Sequence, residues 1–213
     1  MAAPSKATGF HLKLREGTQQ LHDQAEAGDL QDKMVNGTLS KEEFTSFIAQ
    51  MKLVHAALEP ALTSASTGDN RIEKIFDEDH IRIGKIEQDL VDLEWEGDIT
   101  PLPATERFVN YVHEKIDTNP IALVGVLYVE EGATNGNKYI AKKLIPALGL
   151  GEGKALGFLD PHGDEQRAKW NAFKETLNEL DLTEEEEATC VESAQETFRM
   201  IMNISNELSA ATV

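Results

Sequence analysis

Apolar residues return along this chain every third or fourth position, with no convincing two-residue alternation, so the pattern predicts helices throughout. The first stripe, Phe10, Leu14, Leu21 and Ala25, places a helix across LREGTQQLHDQAE, Leu14–Glu26. Gly28 and the Asn36–Gly37 pair then punctuate a short second segment. Ser40 and Glu43 have the spacing of a capping box, and Phe44, Phe47, Ile48, Met51, Val54 and Leu58 follow as one long amphipathic face. Pro60 is expected to kink or end that helix, since proline lacks an amide proton. Residues 64–70 read as a turn and Asp77–His80 as a solvated connector.

Ile83, Ile86, Leu90 and Leu93 predict the next helix, and Phe108, Val112 and Ile116 another after the Pro101–Pro103 loop. Asn119–Pro120 supplies an N-cap and first-turn proline for a helix running to about Leu148. That helix carries Gly125, Gly132 and Gly136, and an interior glycine costs about 1 kcal/mol relative to alanine. Gly132 and Gly136 share a face, and neither is a terminal cap, because Tyr139, Ile140, Leu144 and Ile145 continue the pattern. Something must lie close to that backbone: a second helix packed on small residues, or a ligand. The stretch Gly149–Lys154 follows a helix and lacks phosphate-loop spacing, so it reads as a flexible turn. Trp170, Phe173 and Leu177 mark a further helix. A second capping box, Thr183 and Glu186, opens the last one, whose inward face is Val191, Ala194, Phe198, Ile201, Ser205 and Leu208. The expectation is one all-α domain of about eight helices over residues 1–213, with 1–8 a flexible N-terminus.

Composition narrows the partners. With 20 Lys+Arg against 38 Asp+Glu the formal charge is −18, which argues against nucleic acid or an anionic membrane surface. No apolar run approaches the ~18 residues that span a bilayer, and MAAPSKATGF has no secretory apolar core. A cytoplasmic protein is expected. Cys190, the single cysteine, sits in a helical pattern as a small apolar filler.

The candidate chemistry begins at His22. Arg15 stands two turns before it and Glu26 one turn after, so a cation, an imidazole and a carboxylate share one face beside an apolar seam. That face suits a planar, mostly apolar ligand with an acidic rim, although on spacing alone a solvated or hydrogen-bonded histidine is the commoner case. Paired Glu-x-x-His motifs and zinc spacing are both absent.

LREGTQQLHDQAE resembles the proximal-helix signature of the haem oxygenases, whose H-x-Q-A-E histidine is the axial iron ligand. The similarity continues through NGTLSKEEF (36–44), HAALE (55–59), IEQDL (86–90), ERFVNYVHE (106–114), VLYVEEGATNGNKYIAKKL (126–144) and the final helix around Phe198. The resemblance implies an all-α haem oxygenase fold. It implies haem as cofactor and substrate, with iron held by His22. Ring opening by O2 and external electrons would give biliverdin, CO and Fe2+, with a donor such as ferredoxin or a flavin reductase. It assigns Gly132 and Gly136 to a kinked distal helix whose backbone lies over the haem, and Arg15 and Lys174 to the propionates. By the same resemblance Phe198 matches an aromatic haem contact, although its spacing suits a core position in any case, and Glu26 completes the histidine's face. Three positions depart from the family. Ala133 stands where animal members have a distal aspartate, and Trp170 stands where a propionate lysine is expected. His55 replaces a tyrosine that supports distal water. It is either a substitute partner for that water, ahead of Asn135, or a satisfied polar residue near the core. Lys138, Lys142 and Lys143 form a basic patch that would suit an acidic donor. The competing expectation is a haem carrier or sensor without turnover.

Overall fold

Both capping boxes form. The Ser40 hydroxyl accepts from the Glu43 amide at 3.1 Å while the Glu43 carboxylate accepts from the Ser40 amide at 2.9 Å. Thr183 and Glu186 make the reciprocal pair at 3.2 and 2.9 Å. Each satisfies amide protons that a helix start leaves without partners. The structure, a computed structural model, describes residues 8–151 and 153–211; the N-terminus expected to be flexible falls almost wholly outside them.

Among the described residues there are nine α-helices and no strand: α1 (Gly9–Glu26), α2 (Asp29–Asn36), α3 (Lys41–Gly68), α4 (Asn70–Ile75), α5 (Ile83–Asp92), α6 (Pro103–Thr118), α7 (Leu123–Ala147), α8 (Gln166–Glu179) and α9 (Glu184–Ala211). None is long and apolar enough to cross a membrane. The boundaries differ from the sequence pattern in two places, both around the end of α3, whereas α7 keeps the expected course. Helix α3 runs straight through Pro60 to Gly68. Pro60 and Ala56, whose carbonyl loses its partner, are both exposed, so water serves that carbonyl and the helix persists. The expected turn at 64–70 is therefore helix up to Gly68, and Asp69 caps α4 by accepting from the Arg71 amide at 2.9 Å. Helix α7 is continuous through Gly132 and Gly136.

Helix α9 is the post around which the rest is arranged: α1, α7, α6 and α2 all pack on it. Its buried positions are Cys190, Ser193, Ala194, Thr197, Met200, Ile204 and Leu208, whereas Val191, Phe198 and Ile201 are only partly covered. A helix enclosed on several sides buries a wider arc than one stripe, so its inward face is rotated from the expected one. Two glycines set how closely the neighbours approach. A Cβ on Gly125 would lie 2.1 Å from the Cys190 carbonyl oxygen, and one on Gly17 would lie 2.5 Å from a Val191 methyl. The Gly17 carbonyl also accepts from Gln195 at 2.8 Å. Cys190 is sealed inside this contact with its thiol against the Ile121 carbonyl at 3.3 Å, and burial pushes that thiol up to about 12.

The α7 glycines are therefore of two kinds. Gly125→Ala is expected to cost about 3 kcal/mol, because backbone on two helices must separate. Gly136, whose Cβ would meet nothing within 4 Å, should gain about 0.5–1 kcal/mol as Gly136→Ala. Urea unfolding of both variants reads the contrast directly; equal losses would mean that Gly136 also serves helix packing.

Candidate functional site

Helices α1 and α7 barely touch, because both lean on α9 and on α8 instead. They meet at one point. Tyr128 on α7 lies edge-on to His11 on α1, with ring centroids 6.1 Å apart, and its hydroxyl engages Thr18. Successive helical turns carry the Tyr128 face of α7 through Gly132 and Gly136 to Tyr139. On α1 the same rule carries the face onward from Arg15 through Gln19 and His22 to Glu26. At the far end α2 packs on α7, with Gly37 against the Lys143 stem and Ala147. The result is a groove walled by α1 and α7 and closed at one end by the His11–Tyr128 contact and at the other by α2. Its base is α9.

The walls match the residue types the sequence singled out. His22 is about half exposed; its Nε2 lies 3.8 Å from Glu26, its Nδ1 3.7 Å from Asp23, and its ring meets Phe198 of α9 edge-on at 6.0 Å. Along α7, Gly132 is partly covered, and Ala133 and Gly136 are exposed, directly after a run, 121–131, that is buried at every position. A Cβ on Gly132 would make ordinary contact, 3.6 Å, with the Trp170 ring. Neither glycine is demanded by protein packing, which removes the helix-on-helix explanation for the pair. Leu21 and Ala25 of the α1 stripe are also only half covered, because no helix lies over them at the groove.

Aromatic rings that periodicity could not place close the inner end. His11, Tyr128 and Trp170 lie within 5.9–6.1 Å of one another, Phe173 stacks on Trp170 at 5.6 Å, and the Lys174 ammonium sits 5.7 Å over the indole. Burial drives His11 down to about 4, helped by Lys174 and Arg15, so it is neutral at physiological pH while both cations face this end. Arg15 and Lys174 are thus brought together from α1 and α8.

His55 goes elsewhere. It is buried on α3, its Nδ1 3.0 Å from Glu59 and its Nε2 3.6 Å from Glu130 of α7, with Phe158 edge-on at 6.0 Å. Glu59 bonds one ring nitrogen and Glu130 stands near the other without a hydrogen bond to it; at 2% exposure His55 is a core residue rather than a group at the groove surface. Burial alone favours its neutral form, but Glu130 and Glu59 outweigh that and raise it above the ordinary imidazole value. Around it lies a buried ionic cluster that sequence reading missed. The Arg82 guanidinium pairs with Glu131, its backbone amide donates to Glu59 at 2.7 Å, and His162 meets Glu131 at 3.3 Å. Burial pulls Arg82 down to about 10. The available signal was Glu130–Glu131, two acids ending an otherwise apolar run on α7. One turn later Gln166 donates to the Thr134 hydroxyl at 2.5 Å, and Asn135 donates to the Gly132 carbonyl at 3.1 Å. These bonds fix the backbone at the groove.

Two cavities of about 430 and 470 Å³ lie away from this groove, one between α6 and α9 beside Tyr111 and the other between α1 and α9 beside Gly17. Both are rimmed by exposed charged side chains, and neither contains the constellation above.

Comparison with known proteins gives consistent results. The family model described as "Heme oxygenase" matches residues 8–207. A heme oxygenase of Rhodella violacea is 29% identical over 209 residues, covering 95% of this chain and 88% of that protein. Heme oxygenase-2 of Synechocystis sp., solved with heme and NO, superposes with a TM-score of 0.89 at 25% identity, covering 96% of this chain and 86% of the other. Heme oxygenase-1 of the same organism, solved with heme, gives 0.87 at 23% identity over 96% and 94%.

The histidines generate opposite pH dependences. His11 and His162, both depressed to about 4 by burial, stay neutral when folded, so their stabilising contribution is present above about 6.5 and is lost as pH falls toward 4. His55, raised, contributes fully below 6.5 and loses that contribution as pH climbs through its folded value. Denaturant midpoints across pH 4–9 should therefore fall on both sides, and His55→Asn should flatten only the alkaline side. An unchanged alkaline slope in that variant would remove the Glu59–His55–Glu130 assignment.

Proposed function

The chain belongs to the haem oxygenase family, and on that premise we propose that the α1–α7 groove takes haem with His22 as the only protein ligand to iron. Haem, which is both cofactor and substrate, is opened with O2 and external electrons to biliverdin, CO and Fe2+. One observation carries the site: Gly132 and Gly136 persist inside a helix although no protein atom requires their missing side chains. At about 1 kcal/mol each, such positions are retained where a flat ligand must approach the backbone.

The surrounding residues have separable tasks. His22 presents one imidazole, backed by the edge of Phe198, while Glu26 and Asp23 stand within 4 Å to orient the ring. Arg15 and Lys174 receive the propionates at the inner end. Ala133 offers no side-chain proton donor, so an ordered water on the distal side rests on the Gly132 carbonyl and the Asn135 amide. The buried cluster works at one remove: His55, through Glu130, and Arg82, through Glu131, hold the turn of α7 that precedes these groups. Tyr139 is 73% exposed on the continuation of the glycine face, with Lys142 5.8 Å over its ring and Lys143 exposed one turn on. On a chain of charge −18 this patch suits an acidic one-electron donor, ferredoxin or flavin reductase in kind.

The missing distal acid favours one alternative, a haem carrier or sensor without turnover. Haemin followed by a reducing system separates the two. The oxygenase reading requires the Soret band to decay into a biliverdin spectrum with one CO released per haem. In Gly136→Leu, binding or turnover should fall at least tenfold, with stability of the haem-free protein unchanged or improved. Haem that binds tightly in the wild type but survives every reductant would establish the carrier.

A further inference from the structure

We propose that Trp170 sets the in-plane orientation of the bound macrocycle, and so selects which meso bridge is opened, by walling the inner end of the groove beside Gly132. The inference rests on the haem reading above and adds a determinant of product identity to it.

Trp170 sits where α1, α7 and α8 converge. Its ring is 5.9 Å from His11, 6.0 Å from Tyr128 and 5.6 Å from Phe173, and its outer edge is the atom that a Cβ on Gly132 would touch at 3.6 Å. Aromatic partners on three helices prevent the indole from swinging aside, and the Lys174 ammonium covers it at 5.7 Å. It therefore presents a fixed apolar edge at the level of the distal backbone.

Rotating a disc within its own plane changes little of the apolar area it buries, so hydrophobic burial holds the macrocycle without choosing its angle. Direction has to come from ion pairs or from steric exclusion. Arg15 and Lys174 are the cations that act on His11, with Arg167 two turns further back on α8, since His11 is itself held neutral and position 170 carries no charge. A solvent-exposed ion pair discriminates by at most about fivefold, so two give only modest preference among angles. A packed indole edge adds hard exclusion: an angle that drives a ring substituent into it is removed rather than merely disfavoured. Product identity then follows from geometry, since the bridge that lies nearest the Gly132–Gly136 backbone is fixed once the angle is fixed.

The test uses the ferric protein loaded with a haem symmetric about the axis between its propionates, so that binding by either face gives one signal set. Proton NMR of the haem methyls in the cyanide complex counts in-plane settings without any turnover. Wild type should show one setting, and Trp170→Ala a second setting populated to at least a tenth. With natural haem and a reductant, chromatography should find a second biliverdin isomer in Trp170→Ala in matching proportion. Trp170→Leu, which keeps apolar bulk but not the ring edge over Gly132, carries the same expectation if the alanine variant does not fold. One unchanged setting and one unchanged isomer in these variants would overturn the proposal. Failure of the wild type to bind haem would instead overturn the site reading on which it depends.

Discussion

The close contact of α9 with glycines on two other helices governs the rest of the architecture. With Gly125 against the Cys190 carbonyl and Gly17 against Val191, α7 and α1 are each drawn onto the same post rather than onto one another. Dispersion and burial reward that closeness, and the two seams commit the apolar faces of both helices to α9. What remains uncovered is the facing pair of stripes, Arg15 to Glu26 on α1 and Gly132 to Tyr139 on α7. The groove is thus a consequence of packing elsewhere, and its residues are only partly covered because the neighbouring helices are committed to α9.

The second constraint is electrostatic. Glu59, Glu130 and Glu131 are buried with Arg82, His55 and His162, tying α3, the start of α5, α7 and the segment before α8 into one cluster. Removing one member of such a buried set strands the others and costs about 3–5 kcal/mol. This is an expensive way to build a core, and its location on the two residues directly before Gly132 explains the choice. A helix that gives up side chains over two turns for a ligand is locally weak, and rigid support immediately upstream fixes where its exposed backbone lies. Asp89 extends the same logic to the α7–α8 connection by accepting from the Gly157 and Phe158 amides, both at 2.7 Å, which seats Phe158 against His55.

Much of this was legible in the sequence, for identifiable reasons. Helix positions follow from periodicity and capping chemistry, both local. His22, Arg15, Glu26 and the glycine pair were singled out because one helical face is readable from spacing and because their neighbourhoods resemble a family signature. The distinction between Gly125 and Gly136 was not readable, since it depends on what another helix does at each position. His55 was divided between groove and core for the same reason: its partners come from α3 and α7, 4 and 75 residues away. The helical course past Pro60 depended on solvent access at Ala56, and the aromatic wall required knowing that α1, α7 and α8 converge.

The central claim is that His22, on the uncovered face of α1, is the single protein ligand to the iron of haem seated against the α7 glycines. Resonance Raman spectroscopy of the ferrous complex tests it most directly. The account requires an iron–imidazole stretching band in the wild type that disappears in His22→Ala, with haem still bound, and returns when free imidazole is added. A band that persists in His22→Ala would place another histidine on the iron and contradict the account.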